Sequence, residues 1–117
     1  MAYDRDNVFA RILRGEIPSD RVYEDEEFVA FRDIAPSAPT HIVLIPRGEP
    51  PASPAELQEA DAEWVGRMVI AATRIAMQEG LAADGYRLVM NSGLSAGQTV
   101  PHLHLHILGG AELAPLG

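Results

Sequence analysis

The sequence predicts an α+β fold, an antiparallel sheet with helices on one side. Apolar runs of strand length follow one another and are interrupted by one main helical segment instead of alternating with helices. The last of them, His102 to Leu108, alternates imidazoles with aliphatics. Successive strand side chains point to opposite faces, so this puts His102, His104 and His106 on one face and Leu103, Leu105 and Ile107 on the other. One face packs and the other is free for chemistry. At 117 residues the chain suits a single domain, residues 1–117, with one hydrophobic core.

Each element has a local reason. Asp6 is placed to cap a short helix whose Val8, Phe9, Ile12 and Leu13 share a face, and Gly15 ends it. Arg21 to Tyr23 and Phe28 to Phe31 form strands around the acidic turn Glu24 to Glu27, expected as a solvated hairpin tip. The prolines of Ile34 to Pro39 lack donors, so that segment is a shaped loop. His41 to Ile45 is an apolar strand. Ser53-Pro54-Ala55-Glu56 has the form of a capping box with proline at the first helical position, a strong start for the main helix. That helix carries Trp64, Met68, Ala71, Ala72 and Ile75 at helical spacing, as core residues, and stops at Gly80. Asp84-Gly85 turns into a strand Tyr86 to Asn91, and the small-residue loop Asn91 to Thr99 leads to the histidine strand.

Composition limits the functions open to the chain. Nine basic against seventeen acidic residues give a net charge of −8, which opposes nonspecific attraction to nucleic acid and to anionic membranes. Neither nucleic acid nor membrane is therefore an expected partner. There is no cysteine, which removes thiolate metal sites and cysteine nucleophiles and accords with a reducing, cytoplasmic setting. Met1 to Asp6 has no targeting pattern, and no run is long enough to span a bilayer.

Burying several imidazoles on one surface is costly unless each has a partner, so the histidine cluster reads as a site. Two chemistries fit it. A neutral imidazole attacks phosphorus well and forms a phosphoramidate that water cleaves, provided its other ring nitrogen keeps its proton on a fixed acceptor. Neighbouring imidazoles then donate to phosphate oxygens and leaving group. Gly97-Gln98-Thr99 adds backbone amides and a hydroxyl for an anion. Alternatively, His-x-His on a strand is a pair of metal ligands, with His41 as a third. With no cysteine available and the nearest carboxylates, Asp84 and Glu112, outside the strand, phosphorus chemistry ranks ahead of a metal.

His102 to Leu108 with Gly109-Gly110 resembles the signature of the histidine triad (HIT) family, and the surroundings resemble its nucleotide-binding HINT branch. The likeness extends in order through Val8 to Ile12, Glu16 to Pro18, Phe31 to Pro36, Ala38 to Pro46, Tyr86 to Asn91 and Gly97 to Thr99, nearly the whole chain. It implies a five-stranded antiparallel sheet, a homodimer in which two such sheets join, and hydrolysis of purine nucleoside phosphoramidates with no cofactor or metal required. It makes His104 the nucleophile that carries the nucleotidyl group and His106 the contact to the α-phosphate. His102 and His41 orient the nucleophile. Asp33 would hold the ribose hydroxyls, as one carboxylate can accept from two vicinal hydroxyls. Ile34 would pack on the base, with Phe9 and Ile12 completing an apolar slot. Asn91 and the backbone of Gly97, Gln98 and Thr99 would hold the phosphate, the Thr99 hydroxyl lying near the leaving group.

Plainer roles stand beside these. Asp33 also suits an Asx turn before Pro36, Asn91 a strand end, and His41 a satisfied half-buried histidine. Phe9 and Ile12 are open between core and ligand wall. The chain also departs from the branch. Thr99 stands where serine is frequent, Arg47 to Pro50 replace a basic, histidine-containing stretch, and Ala111 to Gly117 lack a tryptophan found in related proteins. The Thr99 methyl narrows the site, the replaced stretch removes one member of the proton network, and the missing tryptophan bears on the leaving-group side. The expected activity is a nucleoside phosphoramidase releasing the 5′-monophosphate. The alternatives are a nucleotide-binding regulatory protein with incidental hydrolysis and, third, a zinc-binding module.

Overall fold

The computed structural model describes residues 1–116, so Gly117, the last residue of the tail, lies outside them. Five strands form one antiparallel sheet: β1 (Arg21–Glu24), β2 (Phe28–Arg32), β3 (Thr40–Pro46), β4 (Tyr86–Val89) and β5 (Leu105–Gly109). Their spatial order is β1-β2-β3-β5-β4, with β3 and β5 paired from Thr40–Gly109 to Leu44–Leu105. Two helices accompany the sheet, α1 (Val8–Leu13) and α2 (Ala62–Gln78).

The strand alternation sorts side chains onto two different cores. Phe28, Ala30, Ile42, Leu44, Leu103, Leu105 and Ile107 pack with Met68, Ala72 and Ile75 of α2. Val29, Phe31, Val43 and Ile45 pack with Ile12, Phe9 and Leu13 of α1. The helices therefore cover opposite faces, which corrects the expectation that both lie on one side. The reason is visible in β2 and β3, whose residues are apolar on both faces and so demand two covers.

Further differences are local. Asn7, not Asp6, caps α1, its side-chain oxygen accepting the Ala10 amide at 2.9 Å. Ser53 to Glu56 produces only a 3-10 turn, Pro54–Glu56, after which Leu57 is extended. The Ser53 hydroxyl makes no capping bond, while the Glu56 carboxylate accepts the Ala52 amide at 3.0 Å. The capping box that precedes the main helix is Gln58 with Asp61, whose carboxylate also takes the Trp64 indole N–H at 2.8 Å. Met68 and Ile75 are fully buried and Trp64 packs at the core margin. The acidic turn is exposed at Glu24, Asp25 and Glu26, as expected of a hairpin tip, and is tied down as well: Asp25 accepts the amides of Glu27 and Phe28, each at 2.7 Å, and Glu27 pairs with Arg67 of α2. Strand β4 ends at Val89, short of Asn91.

Regular pairing of the histidine segment starts only at Leu105. Upstream, Pro101 has no amide to give, the His102 amide turns back to the Val100 carbonyl at 2.9 Å, and the Leu103 amide goes to Pro51 at 3.1 Å. The alternation persists without the ladder, since Leu103 lies in the α2 core while His102 and His104 face Phe9 of α1. Among the described residues no helix is long and apolar enough to cross a membrane.

Candidate active site

A cleft of about 430 Å³ opens between α1, the segment after it, and the end of β2. Phe9, Ile12, Ile17 and Phe31 make its apolar wall, while Asp33, Thr99, His104 and His106 bring polar groups to it. Ile34, also on its rim, is 100 % exposed. Phe9 sets its ring edge-to-face against both Phe31 and His104, with centroids 5.5 and 4.9 Å apart. Phe9 and Ile12 thus serve as core and wall together.

Backbone groups settle which imidazole nitrogens carry protons. Nδ1 of His104 lies 2.7 Å from the carbonyl of His102. A carbonyl only accepts, so the proton sits on Nδ1 and the Nε2 lone pair is free. No fully buried side-chain polar atom among the described residues lacks a partner, so this unpartnered Nε2 reaches the cleft. On the other side, the Ser37 amide donates to Nδ1 of His41 at 3.0 Å. A neutral His41 must then carry its proton on Nε2, which lies 2.9 Å from Nδ1 of His106 and 3.5 Å from Asp33 Oδ2. His106 accepts at Nδ1 and presents Nε2–H to the cleft. An acceptor and a donor stand side by side, their rings 5.0 Å apart.

The rings are neutral for a common reason. Burial holds His104 and His41 below the ordinary imidazole value, partly offset for both by the Asp33 carboxylate. Burial pushes His102 down to about 4, and pushes His106 to about 4, the mutual repulsion of protonated rings at His104 and His41 adding to it. An uncharged His104 with a directed lone pair is a competent nucleophile at neutral pH.

A HIT domain model matches residues 14–113. The chain belongs to the HIT family. It is similar to the purine nucleoside phosphoramidase of Escherichia coli (strain K12), 48% identical over 111 residues that cover 95% of this chain and 92% of that one. It is 46% identical to a 14 kDa zinc-binding protein of Zea mays, covering 94% and 86% of the two chains. The fold superposes on a HIT family hydrolase from Clostridium thermocellum with a TM-score of 0.90 at 42% identity, covering 97% of each chain.

Within this HIT chain the expected site residues fall into three groups. His104, His106, Asp33, Ile34, Phe9, Ile12 and Thr99 meet at the cleft. His41 and His102 stand behind it and contact it through His106 and His104. Asn91, Gly97 and Gln98 are not part of its lining. The Gly97 amide closes a 3-10 turn on Leu94, the Gln98 amide goes to Gly93 at 3.1 Å, and Gly97 itself adopts φ +92° to make that turn. The Gln98 side chain, buried, accepts from Gly93 and donates to Ala52 and Val100. Gly97 and Gln98 therefore shape the loop that delivers Thr99, and their amides are not available to an anion in this conformation. Asp33 does form an Asx turn, Oδ1 taking the Ala35 amide at 2.8 Å, which leaves Oδ2 toward His41. Sequence reasoning passed over Ser37, whose amide sets the His41 tautomer, and Tyr3, which reaches His102. Neither carries a local pattern that would single it out.

Asp33, His41 and His106 have ligand atoms within 4.8 Å of one another, the spacing a metal ion needs. The hydrogen bonds oppose it, because His41 with Nδ1 engaged by Ser37 holds its proton on the nitrogen a metal would use.

Proposed function

We propose that this chain is a hydrolase that cleaves purine nucleoside 5′-phosphoramidates through a covalent nucleotidyl-histidine on His104. The observation that carries the reading is the 2.7 Å bond from His104 Nδ1–H to the His102 carbonyl, which commits the ring proton away from the cleft. Nε2 of His104 attacks the α-phosphorus and the bond to the leaving amine breaks, the amine departing with a proton taken from water in the open cleft. His106 Nε2–H donates to the phosphoryl oxygen as charge develops there. Thr99 lines the same cleft, and in this reading its hydroxyl serves the leaving group. Water then cleaves the nucleotidyl-histidine and releases the nucleoside 5′-monophosphate. The base lies against Phe9, Ile12 and Ile34, and the ribose hydroxyls against Asp33. The name of the Escherichia coli relative supports this substrate class.

Rapid quench with a labelled adenosine 5′-phosphoramidate tests it. An acid-labile nucleotidyl group should appear on His104, and His104→Ala should lose about a thousandfold or more in the chemical step. Nucleoside monophosphate should still bind within about tenfold. Label on His102 or His106, or normal turnover by the variant, rejects the assignment. The zinc-binding name of the Zea mays relative and the Asp33, His41, His106 cluster favour a second reading, a metal site. Activity lost to EDTA and restored by zinc alone would establish it in place of the first.

A further inference from the structure

Tyr3 belongs to none of the motifs above, yet its hydroxyl lies 3.0 Å from Nδ1 of His102, 99 positions along the chain. Nε2 of His102 is 2.9 Å from the Pro46 carbonyl, which only accepts, so the ring proton is on Nε2 and Nδ1 is an acceptor. The Tyr3 O–H therefore donates to His102. The only other acceptor near the Tyr3 hydroxyl among the described residues, the Gly48 carbonyl, is at 3.5 Å, a much poorer distance. His102 is 0 % exposed and is pinned through both nitrogens, by Pro46 at one and Tyr3 at the other. The carbonyl of this same residue holds the His104 Nδ1 proton.

We propose that Tyr3 is a positioning residue for His104, its hydroxyl locking His102 so that the His102 carbonyl holds the nucleophile in its attacking tautomer. This rests on the reading of His104 as the nucleophile. Tyr3 also lines a separate open cleft of about 360 Å³ with Arg5, Arg14 and Arg47, so the phenol stands between that cleft and the buried His102. The dependence runs through one bond. Loss of the hydroxyl leaves His102 Nδ1 without a donor, and a buried acceptor left unpaired is relieved by a shift of the ring and the backbone that carries it.

Tyr3→Phe keeps the ring and removes only the hydroxyl. The single-turnover rate with adenosine 5′-phosphoramidate should fall about tenfold, as for one lost hydrogen bond, while the Kd for adenosine 5′-monophosphate stays within about twofold. Nuclear magnetic resonance gives a readout independent of substrate: the His104 Nδ1 proton should exchange with water about tenfold faster in Tyr3→Phe. Arg5→Ala breaks another tie of this segment, the 3.0 Å pair with Glu49, and should leave both readouts at their wild-type values. Wild-type values for Tyr3→Phe in either measurement overturn the proposal, as does an equal loss in Arg5→Ala, which would make Tyr3 a mere fastening. If the wild-type protein turns over no phosphoramidate, the phosphoramidase reading fails, and the exchange of the His104 proton alone decides the role of Tyr3.

Discussion

His41 and His106, 65 positions apart, share one proton line: Nε2 of His41 lies 2.9 Å from Nδ1 of His106, and its direction is set by the Ser37 amide on the far nitrogen of His41. Because an amide only donates, the line runs outward, ending in an N–H at the cleft. The N–H donor that this line presents to the cleft is thus specified by a loop amide two residues before Pro39.

If that line works as drawn, His41→Ala frees His106 to adopt either tautomer and removes its fixed donor. The single-turnover rate should fall by about tenfold or more, with nucleoside monophosphate binding changed far less. A rate within about twofold of wild type would remove His41 from the catalytic apparatus.

For Asp33, replacement by alanine should weaken nucleoside monophosphate binding by about 1 to 3 kcal/mol through lost charge-assisted bonds to the ribose. The same change removes the Asx turn to Ala35, so the loop effect needs its own control. Calorimetry with a 2′,3′-dideoxy monophosphate supplies it, because that ligand should lose little. Equal losses for the two ligands would mean that Asp33 acts only through the loop.

How far the sequence could be read follows from the range of each interaction. The alternation of Leu103, Leu105 and Ile107 with the histidines needs nothing but the strand period, and it holds even where His102 and His104 precede the ladder. The apolar run His41 to Ile45 marks a strand for the same reason, although a run buried on both faces does not say that a second helix covers the far side. Local patterns were less secure where two competed. Ser53 to Glu56 and Gln58 to Asp61 both carry helix-start chemistry, and only the second leads directly into the seventeen-residue helix, Leu57 being extended between them. Contacts such as Tyr3 with His102, 99 residues apart, have no periodicity to betray them.

Stability should depend on pH through the buried rings. His102 and His106 stand at about 4 in the folded chain against an ordinary 6.5. Between those values the unfolded chain binds more protons than the folded one, so stability is fully present above about pH 6.5 and falls as pH drops toward about 4. The urea midpoint should follow that course, and His106→Gln should flatten it. An unchanged slope in the variant would contradict the burial of a neutral His106.

Strand β4 is an edge of the sheet, and α2 leaves Val69, Ile70 and Met77 exposed. An unpaired edge favours a closed two-fold pairing, and exposed apolar side chains on the helix give further area to bury. Sedimentation at micromolar concentration should give a dimer. A wild-type monomer under those conditions would reject the pairing.

The sheet has unequal covers, seventeen residues of α2 on one face and six of α1 on the other. Lifting α1 exposes the small cluster around Ile12 and Val43 and leaves the larger one intact, so such an opening costs less than global unfolding. Ligand entry can draw on that low-energy opening while the opposite face stays closed. The backbone amides of Val8 to Leu13 should therefore be the ones whose hydrogen exchange slows most when a nucleotide occupies the cleft, and substitutions that retune this short wall are separated by the sheet from the packing that keeps the molecule folded.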